Sequence, residues 1–174
     1  MNKAGIRLGV IANHNKFDAG EFKALRNTAK NNDICLLPGV ELSVNDGSNG
    51  VHTLIVFSDP WLENGNDYIS PFITTMFPGK AESEYQNENG RSDKNILQAV
   101  EELEKRGRDY FLIFAHVEQR SGLWCEMGGG KLGDFKDKRY ELVRRRTLGF
   151  QKVRTHDKPD AVCRIKVKDR KSVV

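Results

Sequence analysis

Cysteine does little structural work in this sequence. Cys35, Cys125 and Cys163 are odd in number and no two form a CxxC pair. That excludes a small disulfide-stapled scaffold and a zinc ribbon. Cys35 sits in an apolar run and reads as a buried thiol. Long apolar runs are missing too: none approaches the roughly 20 residues needed to cross a bilayer. Residues 1–9 are too short and too mixed for a signal peptide. The expectation is a cytoplasmic protein with no membrane role. No internal repeat is visible, and only four histidines occur in 174 residues.

What is present fits one domain with room for a single hydrophobic core. Apolar residues at 38% and charged residues at 30% are somewhat polar for a compact domain but do not give a disordered composition. The net charge of +4 is uneven. Residues 139–174 hold twelve Lys/Arg and four Asp/Glu, or +8, which leaves −4 for the rest. A basic tail can bind nucleic acid or phosphate groups. It can equally be a solvated face or a linker to a partner domain.

Along the chain, residues 6–12 form an apolar run ending in Asn13-His14-Asn15, which reads as a strand with a polar end. Asp18 is a candidate N-cap with Glu21 three residues on, followed by Phe22, Leu25 and Ala29 at helical spacing. Residues 34–37 read as a short strand closed by Pro38-Gly39. Residues 40–44 alternate like a strand, 45–50 carry turn chemistry, and 51–57 form a third apolar strand. Residues 60–77 have a helical pattern interrupted by Gly65 and Pro71, and 80–91 read as a loop. Residues 93–105 give the clearest helix, with Ile96, Leu97, Val100 and Leu103 on its apolar face and Gly107 beyond its end. Residues 110–115 form a strand ending at His116. A helix over 136–146 and strands over 150–154 and 161–167 complete the reading. This alternation argues for an α/β architecture with a largely parallel sheet or barrel.

The ionisable residues are informative by position. His14 and His116 each follow an apolar strand, and Glu41 and His52 lie on strands between them. In parallel α/β folds the loops converge at the carboxyl ends of strands. Imidazoles and a carboxylate meeting there suit zinc, manganese or iron. Singly, each is better explained as a polar residue meeting solvent. Together, three of the four histidines at strand ends that can converge shift the balance toward a divalent-metal site. Other signals are weaker. The segment EMGGGKLGDF fails the P-loop pattern, with Cys125 and Leu132 at the positions that decide it. Arg144, Arg145 and Arg146 could clamp phosphate or end a solvated helix. Trp61 reads as packing, and Trp124 as packing or a pocket wall.

Four segments carry a resemblance. GVIANHNKFD is similar to the strand and Thr-Asp-His-Asn motif of PHP (polymerase and histidinol phosphatase) domains. LLPGVELSV resembles their Pro-Gly-x-Glu-x-Ser segment. GVHTLIVFSD resembles the following strand opened by His, and FLIFAHVEQRSG the strand ending in Ala-His. They follow the family's order from residue 6 to residue 122. ENGRS, FAHVEQRSGLW and RTLGFQKVRT further resemble PHP domains that precede an SMC-like or AAA-like ATPase, the TrlF type. The resemblance implies a partial, distorted (β/α)7 barrel, TIM-like, with up to three divalent metal ions (Zn, Mn or Fe), hydrolysing phosphate esters. It implies Glu41 as a bridging carboxylate, His52 and His116 as completing one ion's ligands, and His14 as a ligand of a neighbouring ion, all four in the catalytic centre.

Three departures accompany it. The family's opening His-x-His strand has no counterpart before His14. Its Asp-His is Asn13-His14 here, and its late Asp-x-His pair is matched only by His156-Asp157 in reversed order. The expectation is therefore an N-terminally incomplete phosphoesterase domain over residues 1–150, with 151–174 a basic tail or the start of another segment. Its partners would be a phosphoester substrate, nucleic acid among them, and an ATPase domain or chain. The alternative is a catalytically impaired module that binds nucleic acid or an ATPase.

Overall fold

A computed structural model describes residues 5–127, 133 and 135–153. Strand β1 (Leu8–His14) leads to helix α1 (Ala19–Lys30), strand β2 (Cys35–Val44) and strand β3 (Val51–Phe57). A 3₁₀ segment (Asp59–Gly65) precedes α2 (Ile69–Met76), the one-turn α3 (Glu82–Tyr85), α4 (Ile96–Glu104) and β4 (Tyr110–Phe114). The one-turn α5 (Leu123–Glu126), a 3₁₀ turn (Lys138–Tyr140), α6 (Glu141–Arg146) and β5 (Thr147–Phe150) follow.

The strands form one sheet in the order β1-β2-β3-β4-β5. The outer pairs β1–β2 and β4–β5 are parallel, while β2–β3 and β3–β4 are antiparallel. This corrects the expected (β/α)7 barrel and the largely parallel sheet. Such a barrel needs every strand parallel with a helix after each. Here the short turn of residues 45–50 reverses the chain directly from β2 into β3, with no crossover helix. Among the described residues β1 and β5 do not pair, so the sheet stays open.

Pro38-Gly39 does not close a strand as the sequence suggests. It lies inside β2, with Pro38 opposite Ile11 and Gly39 between Ala12 and Val56. A Cβ at Gly39 would press on Val10 and on the carbonyls of Ile11 and Ile55, so the glycine allows three strands to lie close. Cys35 is exposed, not buried. It stands opposite Leu8 near the start of the edge pair, where the strand's alternation buries Leu36 instead.

One face of the sheet makes the core. Val40, Leu42 and Val44 of β2, with Val51, Ile55 and Phe57 of β3, are buried in a cluster that includes Trp61, Phe72, Met76, Val100 and Leu103. Helix α1 begins as expected, with Asp18 Oδ1 accepting from the Glu21 N–H at 2.8 Å. Of its apolar positions only Phe22 is buried, and Leu25 is exposed. Pro71 sits in the first turn of α2, where no N–H is required. Helix α4 starts at Ile96 behind the Asn95–Gln98 capping box. Residues 80–91, expected as loop, contain α3. The expected strand over 161–167, His156, and the Gly128–Gly130 loop lie outside the described residues.

Candidate metal centre

The opposite face of the sheet carries the candidate site. His14 stands opposite Glu41 in the β1–β2 register, and Ser43 stands opposite His52 in the β2–β3 register. Period-2 alternation therefore puts His14, Glu41, Ser43 and His52 on one face. Glu41 and His52 are diagonal neighbours, close enough for their side chains to meet. His116 follows β4 by two residues. It is locked there because the Ala115 N–H donates to His52 O at 3.0 Å and the Val117 N–H to Gln151 O at 3.1 Å.

All four sequence-derived residues come together. Glu41 Oε1 lies 3.0 Å from His52 Nδ1 and 3.5 Å from His116 Nε2, and those two nitrogens are 3.1 Å apart. His14, Glu41 and His52 offer ligand atoms within 4.8 Å of one another, and the His14 and His52 rings are 5.1 Å apart. Two donors about 2.1 Å from a shared ion in tetrahedral geometry stand roughly 3.4 Å apart. The Glu41–His52–His116 spacings match that value. Hydrogen bonding alone serves the trio poorly. If the His52 Nδ1 proton goes to Glu41, that nitrogen has no lone pair left for His116 Nε2. A cation at the centre can take the lone pairs of all three atoms.

The electrostatics agree. The Glu41 carboxyl is held below its usual range, first by the hydrogen bond from His52, against the opposing effect of burial. The His14 imidazole is pushed down by burial and then by the nearby His52 ring. His116 has a backbone φ of +29°, a region non-glycine residues avoid and which clusters at functional sites. Its Nδ1 is buried and lacks a partner among the described residues. The strained turn is closed by Gly122, where any Cβ would overlap the backbone of His116 and Val117.

Asn15 is a residue the sequence reading missed. It is fully buried at φ +49°. Its Oδ1 accepts from the Ser43 N–H at 2.9 Å, which fixes the amide's orientation. Its Nδ2 donates to Tyr85 O at 2.8 Å and Gly90 O at 2.9 Å, and lies 3.0 Å from His14 Nε2. It thereby ties β1, β2 and the 85–90 turn together behind His14. Its place directly after His14 was the available signal. Asn13 is exposed outside the cluster.

Beside His52 opens a cleft of about 730 Å³. Every lining residue is polar or glycine, including Ser43, Asn49, Lys80, Arg91 and Arg120. Trp124 is not among them. Arg146 and Arg144 do not line it either. Arg146 pairs with Glu104 at 2.8 Å, and Arg144 donates to the Phe135 and Asp137 carbonyls.

The structure is thus an open α/β sheet carrying a His-Glu-His cluster that could hold a metal ion. Neither a protein-family model nor a curated protein matches the chain. Its fold is similar to that of a candidate metal-dependent phosphoesterase from Bifidobacterium adolescentis, with a TM-score of 0.53 and 13% identity over 86% of this chain and 68% of that one. At that identity the likeness establishes fold alone. No helix among the described residues is long and apolar enough to cross a membrane.

Proposed function

We propose that this chain is a metal-dependent phosphoesterase of the PHP type, hydrolysing phosphate esters. The observation that carries the reading is the convergence of Glu41 Oε1, His52 Nδ1 and His116 Nε2 within 3.5 Å. The fold shared with the Bifidobacterium adolescentis protein supports it. Glu41, His52 and His116 would hold one divalent ion, zinc, manganese or iron, and His14 would contribute beside Glu41. Such an ion polarises phosphoryl oxygens and makes water nucleophilic near neutral pH. The chain's own residues do the rest. Glu41 supplies the anionic ligand, already ionised well below neutrality. The β2–β3 register presents it beside His52. Asn15 braces His14, and the strained His116 turn aims the last imidazole inward.

We take residues 1–150 as the catalytic unit and an SMC-like or AAA-like ATPase of the TrlF type as its partner. The test is metal content per chain after purification without chelator, together with hydrolysis of a simple aryl phosphate in added manganese or zinc. About one ion per chain, lost in Glu41→Gln and His116→Ala, with hydrolysis lost in parallel, is the expected result. A folded, metal-free and inactive wild type overturns it.

A second reading is a non-catalytic module that binds nucleic acid or a partner ATPase through residues 139–174. The twelve Lys/Arg of that segment favour it. Salt-sensitive nucleic-acid binding unaffected by Glu41→Ala and His116→Ala together is its signature.

A further inference from the structure

The cleft beside His52 holds two cations that the metal centre does not use. Arg91 Nη1 donates to Ser48 O at 2.7 Å. Arg120 donates to Asn49 Oδ1 from Nε at 3.1 Å and from Nη2 at 2.8 Å. Neither guanidinium is ion-paired to a carboxylate among the described residues. Lys80, in the same cleft, is neutralised by Asp93 at 2.6 Å. Each guanidinium has five N–H donors and spends only one or two on neutral oxygens.

The two arginines share a built pedestal. Ser48 and Asn49 are gripped from the other side by Glu126. Its Oε2 accepts from the Ser48 and Asn49 backbone N–H groups at 2.6 and 2.9 Å, and its Oε1 accepts from Asn49 Nδ2 at 2.6 Å. Gly47, at φ +71°, is needed because a Cβ there would overlap Glu126. The peptide and amide dipoles of this turn thus point their oxygens at Arg91 and Arg120. Both arginines are also registered to the metal centre. Ser121, next to Arg120, accepts from the His52 N–H at 2.9 Å, and the Ser92 N–H, next to Arg91, donates to Ser43 O at 2.9 Å.

We propose that Arg91 and Arg120 form a second anion subsite. The substrate would then be a small polar phosphate ester bearing an additional oxyanion, which the two guanidinium forks hold while the ester lies at Glu41, His52 and His116. This rests on the phosphoesterase reading for the ester but not for the anion. Apart from His52, which belongs to the metal centre, the described residues lining the cleft include no aromatic side chain on which a base could stack. Glu84 and Glu88 also border it, so a polyanion filling the cleft would meet like charge. Both facts favour a compact ester over a nucleic-acid strand.

The test is calorimetric titration of the metal-free full chain with inorganic phosphate and, separately, with malonate. Wild type and His116→Ala should bind with equal affinity. Arg91→Gln combined with Arg120→Gln should bind at least roughly tenfold more weakly, and Arg120→Lys, which keeps charge but loses the fork, should fall between. Preference for phosphate or for malonate identifies the oxyanion, and either supports the subsite. Absence of binding in wild type overturns it. So does undiminished binding in the double arginine variant or in Arg120→Lys, each shown folded by a cooperative thermal transition, or binding lost in His116→Ala alone. No catalysis is needed, so failure of the subsite and failure of the phosphoesterase reading give different results.

Discussion

Asn15 is one residue away from a proposed ligand, yet its expected effect is on stability first. Replacing it with alanine leaves the Ser43 N–H and the Tyr85 and Gly90 carbonyls without their buried partner. Unsatisfied buried polar groups of this kind cost about 1–3 kcal/mol each, so Asn15→Ala should lose at least about 2 kcal/mol in urea unfolding. A pH scan reads other side chains. The Glu104 carboxyl lies below its usual 4.5, first through the hydrogen bond from Arg146, against burial. The folded chain therefore binds fewer protons than the unfolded chain near that pH. This stability is present above pH 4.5 and is lost as pH falls through the folded value. Tyr110 is shifted the other way, raised above its usual 10.0 by burial and then by Glu104. Its contribution is present below pH 10.0 and is lost as pH rises further. Thermal midpoints should be flat only between pH 6.5, below which the depressed His14 imidazole already costs stability, and pH 10.0, and fall on both sides. Glu104→Gln should soften the acid limb and Tyr110→Phe the alkaline one.

At the scale of elements, the strand-end positions of His14 and His116 were legible because apolar runs stop abruptly there. Glu41 and His52 were legible as candidates, but their meeting was not. It depends on a hairpin register that puts Ser43, not Glu41, opposite His52. Asn15, Arg91 and Arg120 were missed for a related reason. An asparagine in a turn and arginines in polar loops look solvated until tertiary contacts bring residues 15, 43 and 85–90 together. The barrel expectation failed on direction. Apolar periodicity identifies strands but does not say which way they run. The turn at 85–90 offers a sharp test. A Cβ at Gly90 would overlap the Tyr85 backbone, so Gly90→Ala should displace the turn that braces Asn15. It should lower the thermal midpoint more than Gly149→Ala, where nothing lies within 4 Å.

For the whole molecule, the open sheet has consequences at its margins. Leu8 and Val10 of β1 are exposed, on the same face as His14, and Leu148 and Phe150 of β5 are exposed at the other edge. Unpaired edges with apolar side chains invite association with another chain. Leu8→Lys should reduce concentration-dependent scattering while leaving the thermal midpoint within about 0.5 kcal/mol equivalent, as for other surface changes.

The register that gathers His14, Glu41, His52 and His116 also sets the order in which the molecule acquires them. His14, Glu41 and His52 lie on neighbouring strands joined by modest stretches of chain. His116 arrives only when β4 docks on β3, closing a loop across residues 57–110. Loop closure of that length is slow compared with hairpin formation. The complete donor trio is therefore a marker of the longest loop closure within the sheet. In a stopped-flow refolding experiment, an optical metal indicator should report uptake together with β3–β4 docking, after the hairpin has formed.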